Sequence, residues 1–91
     1  MSDVAMQAVE QEVDRMVRLL VDHPEHVTVE TLSAGRQRIL KVKTMDSEVG
    51  QVVGKGGVTV NGIRSYLAAL SGKHRVEYQI EVEGQDDSVR R

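Results

Sequence analysis

Three glycines and a lysine, Gly54-Lys55-Gly56-Gly57, cut the chain between two apolar segments, and no other feature limits its possible folds as sharply. Before the break, Val49, Val52 and Val53 sit at helical spacing; after it, Val58, Val60, Ile63, Leu67 and Leu70 do the same. Residues with so little side-chain bulk do not continue a helix; they take positive φ and let other backbone come close. A tight bend between a short helix and a longer one is expected. Asp46 or Ser47 suits the N-cap of the short helix, and Gly72 is a natural stop for the long one.

The flanking segments complete the layout. Met6, Val9, Val13, Met16, Val17 and Leu20 recur at steps of three and four, which predicts a helix over residues 3–22 with Ser2 or Asp3 as its N-cap. Pro24 biases His23 away from helical geometry and ends that helix. Residues 27–32 are β-branched and partly alternating, and Arg38, Leu40 and Val42 alternate with Ile39, Lys41 and Lys43. Two strands are expected there, paired as a hairpin around residues 33–36. Val76, Tyr78, Ile80 and Val82 alternate without a miss and mark a third strand. From Gly84 onward the chain is polar and charged. The expected organisation is one domain over residues 1–83 and a flexible charged tail over 84–91. The order α-β-β-α-α-β predicts an α+β layer fold, a three-stranded sheet with three helices packed on one face.

Composition excludes several kinds of function. With 91 residues there is room for one domain. Cysteine is absent, which removes disulfides, thiolate metal sites and a cysteine nucleophile, and fits a reducing cytoplasm. Phe and Trp are absent too, leaving Tyr66 and Tyr78, too few rings for a base-stacking platform. No apolar run approaches the roughly 20 residues of a membrane span, and residues 1–4 lack the basic start of a signal peptide. His23 and His26 straddle Pro24 and His74 is distant, so neither a metal site nor a cofactor is expected. Nothing assembles a nucleophile, a base and an orienting group, and the chain reads as a non-enzyme.

The net charge of −2 divides unevenly. Residues 1–30 carry seven acids against two arginines, and residues 77–91 carry five acids against two arginines. Between them, residues 31–76 carry eight bases (Arg36, Arg38, Lys41, Lys43, Lys55, Arg64, Lys73 and Arg75) against Asp46 and Glu48. A basic middle between acidic ends allows one positive face on an otherwise negative molecule.

The bend itself ends at the start of a helix, where unpaired N–H groups and the helix dipole favour an anion, and Lys55 adds a mobile ammonium. A Walker A loop is excluded: Gly50 and Gly54 have three residues between them, and Gly56 stands where Ser or Thr should follow the lysine. A dinucleotide fingerprint is excluded as well, since Thr59 occupies its last glycine position and a helix precedes it. The pattern that fits is apolar-apolar-G-x-x-G-x-x-apolar between two helices, with Val52, Val53, Gly54, Gly57 and Val60 meeting every position. In this the chain resembles a KH domain, and its element order is similar to the type II arrangement. With the Asn61-Gly62-Ile63-Arg64 segment and its length, it resembles the small bacterial single-KH-domain RNA-binding proteins of the KhpA type over residues 4–83.

The resemblance implies a module that holds about four nucleotides of single-stranded RNA, its loop clamping the backbone. Carried onto this sequence, Gly54, Lys55, Gly56 and Gly57 contact phosphates, Gly50 and Val53 form the groove wall, and Arg64 reaches a phosphate or fixes the loop. Lys41 and Lys43 are candidates for the opposite rim. The resemblance further implies an RNA chaperone or post-transcriptional regulator in the cytoplasm, linked in some bacteria to cell shape and division. It also implies a homodimer, or a heterodimer with a second KH-containing protein of the Jag type. A protein-interaction adaptor that docks on a partner or ribosome is the competing reading.

Overall fold

Valines at four-residue steps organise the first layer. The computed structural model describes residues 3–85, and in it α1 (Asp3–Leu20) buries Val9, Val13 and Val17, with Met16 packed beside them. The helix stops two residues short of the expected end, and Leu20 is not on its buried face. The reason is Arg18. Its guanidinium bonds Asp14 Oδ2 at 2.8 Å and donates to the carbonyls of Pro24 (2.6 Å) and Val27 (3.2 Å). The chain therefore reverses early through the 3₁₀ turn Pro24–His26, with Val21 and Val27 turned into the core. Ser2, one of the two candidate caps, lies outside the described residues.

β1 (Thr28–Ala34) and β2 (Gln37–Met45) pair antiparallel from Thr28↔Lys43 to Ala34↔Gln37, so the hairpin turn is Gly35-Arg36, tighter than expected. β3 (Glu77–Gln85) lies parallel to β2 on its other side, giving the order β1-β2-β3. A parallel pair cannot be joined by a tight turn. The crossover here is α2 (Val49–Val53), the 3₁₀ turn Lys55–Gly57 and α3 (Val58–His74). Leu40, Val42 and Thr44 of β2 and Tyr78 and Ile80 of β3 face the helices. They close a core with Val52, Val60, Ile63 and Leu67 from the crossover. Thr31 Oγ1 donates to Glu10 at 2.6 Å and ties β1 to α1. Ser71 Oγ donates to Leu67 O and accepts the Tyr78 N–H, both at 2.9 Å, which ties the end of α3 to the start of β3. The α+β arrangement, with three helices on a three-stranded mixed sheet, is consistent with a type II KH-like fold.

Two glycines behave differently from the sequence reading. Gly72 does not stop α3, which runs to His74. Arg75 takes the left-handed cap instead (φ 61°), and the N–H groups of Arg75 and Val76 both bond Ser71 O. Gly84, placed at the start of the tail, belongs to β3 and pairs with Thr44. The 3₁₀ turn Asp46–Glu48 crosses it so closely that a Cβ there would lie 2.8 Å from Asp46 Cα. That turn, with Glu48 as the residue before α2 and no side-chain cap, replaces the expected Asp46 or Ser47 cap. Residues 86–91 lie outside the described residues.

Gly84→Ala pushes against backbone and is expected to cost about 1–3 kcal/mol, measured as a lower urea midpoint. Gly72→Ala meets nothing within 4 Å and is expected to stabilise by about 0.5–1 kcal/mol in the same assay.

Candidate nucleic-acid interface

The bend is built from backbone angles that only its residues allow. Gly54 (φ 80°), Gly56 (φ 65°) and Gly57 (φ 79°) all lie in positive φ, and Lys55, between them, does not. The lysine thus occupies the one slot of the four that suits a side chain. Gly54 also lies against the first turn of α3: a Cβ there would collide with the Thr59 side chain and lie 2.9 Å from its backbone nitrogen. Gly54 N–H donates to Gly50 O and Gly57 N–H to Gly54 O, both at 2.9 Å, and Val58 N–H donates to Lys55 O. Among the described residues, the N–H groups of Lys55 and Gly56 have no backbone acceptor. Lys55 is exposed and has no ion-pair partner among the described residues. Two donors without a backbone acceptor and an exposed ammonium thus lie at the head of a 17-residue helix, where the dipole favours negative charge.

The other candidates separate into those near the bend and those elsewhere. Gly50 is exposed on α2 with open space where a Cβ would be, and Val53 is half-buried against the core. Arg64 makes no hydrogen bond to the bend among the described residues; its Nη1 donates to Asn61 Oδ1 at 3.0 Å. Asn61 in turn places Nδ2 3.6 Å from the position of a Cβ on Gly57. Sequence reasoning did not single out Asn61, although its spacing of three from Arg64 on a helix was the available signal. Lys41 and Lys43 do not form a rim. They alternate with Leu40 and Val42, so they stand on the face of the sheet away from the helices, each about 3.8–3.9 Å from a Glu83 carboxylate oxygen.

A polar tether holds α2 in place, and it was not legible in the sequence because its partners are about 25 residues apart. Glu48 is buried, accepts the His23 N–H at 3.0 Å and pairs through its other oxygen with His23 Nδ1. One turn on, Gln51 accepts the Asp22 N–H and donates to Asp22 Oδ2, both at 3.1 Å. Burial pushes the Glu48 carboxyl up, but the hydrogen bonds and charge of His23 outweigh it, and the group titrates below its ordinary 4.5. The hydrogen bond and charge of Glu48 hold His23 above its ordinary 6.5. Among the described residues no three His, Asp or Glu side chains are grouped to hold a metal ion, and no helix is long and apolar enough to cross a membrane.

A family model for the KH domain of KhpA and KhpB matches residues 10–82. The chain belongs to the KhpA/KhpB KH-domain family. Among curated relatives, the RNA-binding protein KhpA of Mycobacterium bovis is 34% identical over 73 residues, covering 80% of this chain and 86% of the relative. The RNA-binding protein KhpA of Streptomyces coelicolor is 30% identical over 64 residues, covering 70% and 81%. That of Thermotoga maritima is 32% identical over 60 residues, covering 66% and 80%. No solved structure matches at a significant level. The matched span contains both crossover helices and the whole bend.

The tether carries a pH signature. His23 contributes stability below its ordinary 6.5, lost as pH climbs through its raised value. Glu48 contributes stability above its ordinary 4.5, lost as pH drops through its lowered value. The pair is therefore fully stabilising between those two ordinary values. Between about pH 6 and pH 9 the urea midpoint of the wild type is expected to fall more than that of His23→Gln; parallel curves would show that the pair does not couple to folding.

Proposed function

We propose that the chain binds single-stranded RNA, with the bend at residues 54–57 clamping the sugar–phosphate backbone of about four nucleotides. One observation carries this: at the head of α3, among the described residues, the N–H groups of Lys55 and Gly56 have no backbone acceptor and the Lys55 ammonium has no ion-pair partner. The family supports it, since relatives 30–34% identical to this chain are named RNA-binding proteins. Gly54 and Gly57 shape the clamp, Gly50 and Val53 line the groove wall beside it, and Arg64 orients Asn61 next to the phosphate site.

Of the two tyrosines Tyr78 is buried, so affinity comes from phosphates and groove packing more than from stacked rings. Binding by a single copy is therefore weak, strongly salt-dependent and limited in sequence preference. Two copies, or one copy with a Jag-type KH protein, raise avidity by joining two grooves. In this reading the protein acts in the cytoplasm as an RNA chaperone or post-transcriptional regulator, and its link to cell shape and division follows from the family resemblance.

Lys55→Asp combined with Gly56→Asp tests the clamp. Lys55 is exposed, a Cβ at Gly56 meets nothing within 4 Å, and Asp tolerates left-handed φ better than most residues. Melting is expected to change little while RNA affinity falls roughly ten- to hundredfold, the worth of one or two charge-assisted hydrogen bonds. Unchanged affinity in a folded variant would move the adaptor reading ahead.

A further inference from the structure

Beyond the bend, basic residues gather at the other end of α3. Arg36 from the β1–β2 turn donates through Nη2 to the Arg75 carbonyl at 3.3 Å, and Glu77 N–H donates to Arg36 O at 2.8 Å, which brings the turn and the helix end together. Lys73 and Arg75 project from that end, both exposed. Arg38 is nearby but committed: its Nη1 donates to the Gly35 and Gln37 carbonyls. Among the described residues Arg36, Lys73 and Arg75 have no carboxylate partner, whereas Lys41 and Lys43 share Glu83.

Two further observations set this cluster apart from ordinary surface charge. Cations near a helix C-terminus complement its dipole, and that accounts for one or two of them. It does not account for an arginine holding φ 61° at a position where glycine would sit without strain, nor for Arg36, which comes from another element. The crossover itself also carries no acid: none occurs from Val49 to Val76, in a chain with 14, and Glu12 of α1 is the carboxylate that lies beside Tyr66 and His74. The solvent side of α3 between the ends carries Gly62, Ser65, Ala68, Ala69 and Gly72, with Arg64 adding a positive charge and Tyr66 46% exposed midway.

We propose that Arg36, Lys73 and Arg75 form a second phosphate-binding site for the same RNA strand, which runs from the 54–57 bend along α3 to this cationic end. The inference rests on the clamp reading above. The two sites are separated by the length of α3, roughly 25 Å at 1.5 Å per residue, or about seven phosphates at the roughly 3.4 Å spacing of a stacked strand. A tetranucleotide held at the bend cannot reach the second site. A strand of sixteen can.

The test compares a four- and a sixteen-nucleotide oligouridylate on the full chain carrying Lys73→Gln with Arg75→Gly. Glycine relaxes the left-handed cap and keeps the backbone bond to Ser71, so folding is expected to be as stable as in the wild type or more so. The sixteen-mer is expected to bind about tenfold more weakly, with the slope of log affinity against log salt shallower by about 1.4, two phosphate contacts at roughly 0.7 each. The four-mer is expected to bind as before. An unchanged sixteen-mer affinity and slope would overturn the proposal, as would equal losses for both lengths. Unchanged sixteen-mer binding with lost retention on polyglutamate would assign the cluster to an acidic protein surface and also overturn it. Lys55→Asp in the same assay separates the two claims: loss of both oligonucleotides upholds the clamp whichever way the second site falls.

Discussion

The close passage of Gly54 against the first turn of α3 is the contact on which the rest of the crossover depends. Because β2 and β3 are parallel, the chain has to be carried from the far end of one to the near end of the other. It does so by reversing between α2 and α3 in four residues, three of them in positive φ. A side chain on Gly54 would displace Thr59 and tilt α3, whose inner face supplies Val60, Ile63 and Leu67 to the core. The same path leaves the N–H groups of Lys55 and Gly56 without a backbone acceptor among the described residues. The crossover's reversal and its unpaired donors are thus one geometry.

Topology also decides what the basic middle of the sequence becomes. Alternation along β2 sends Lys41 and Lys43 to the face without helices, where Glu83 pairs with both. The remaining exposed bases are distributed along the crossover: Lys55 at the bend, Arg64 on Asn61, and Arg36, Lys73 and Arg75 where α3 meets the hairpin turn. A net charge of −2 is therefore compatible with a positive crossover, because all acids but Asp46 and Glu48 lie in residues 1–30 and 77–91.

Much of this was legible from local pattern. The four-residue steps of α1, the alternation of β2 and β3 and the glycine bend all report on neighbours in sequence, and each appears where periodicity placed it. What local pattern missed was set by contacts between distant segments. Arg75 caps α3 past Gly72 because Ser71 O accepts two backbone N–H groups and Ser71 Oγ accepts the Tyr78 N–H, a bond to the next strand. Gly84 reads as the start of a tail until the Asp46–Glu48 turn is seen crossing it. Asn61 gains significance only once Gly57 and Arg64 are found on either side of it. In the site, backbone geometry was therefore foreseeable, and the identity of the side chains around it was not.

The tether on α2 follows from the helix's own length. Five residues cannot form a stable helix unaided, since nucleation fixes more dihedral angles than its few hydrogen bonds offset. Val52 is its single fully buried apolar side chain, too little to orient it alone. Glu48 and Gln51 reach back to residues 22–23, and those bonds set the angle at which α2 enters the bend. Because the bend begins at the last residue of α2, any loosening of that grip passes directly to the donors at Lys55 and Gly56. The turn after α1, far from the bend in sequence, is in this sense part of the bend's support, and the His23–Glu48 pair makes that support responsive to pH.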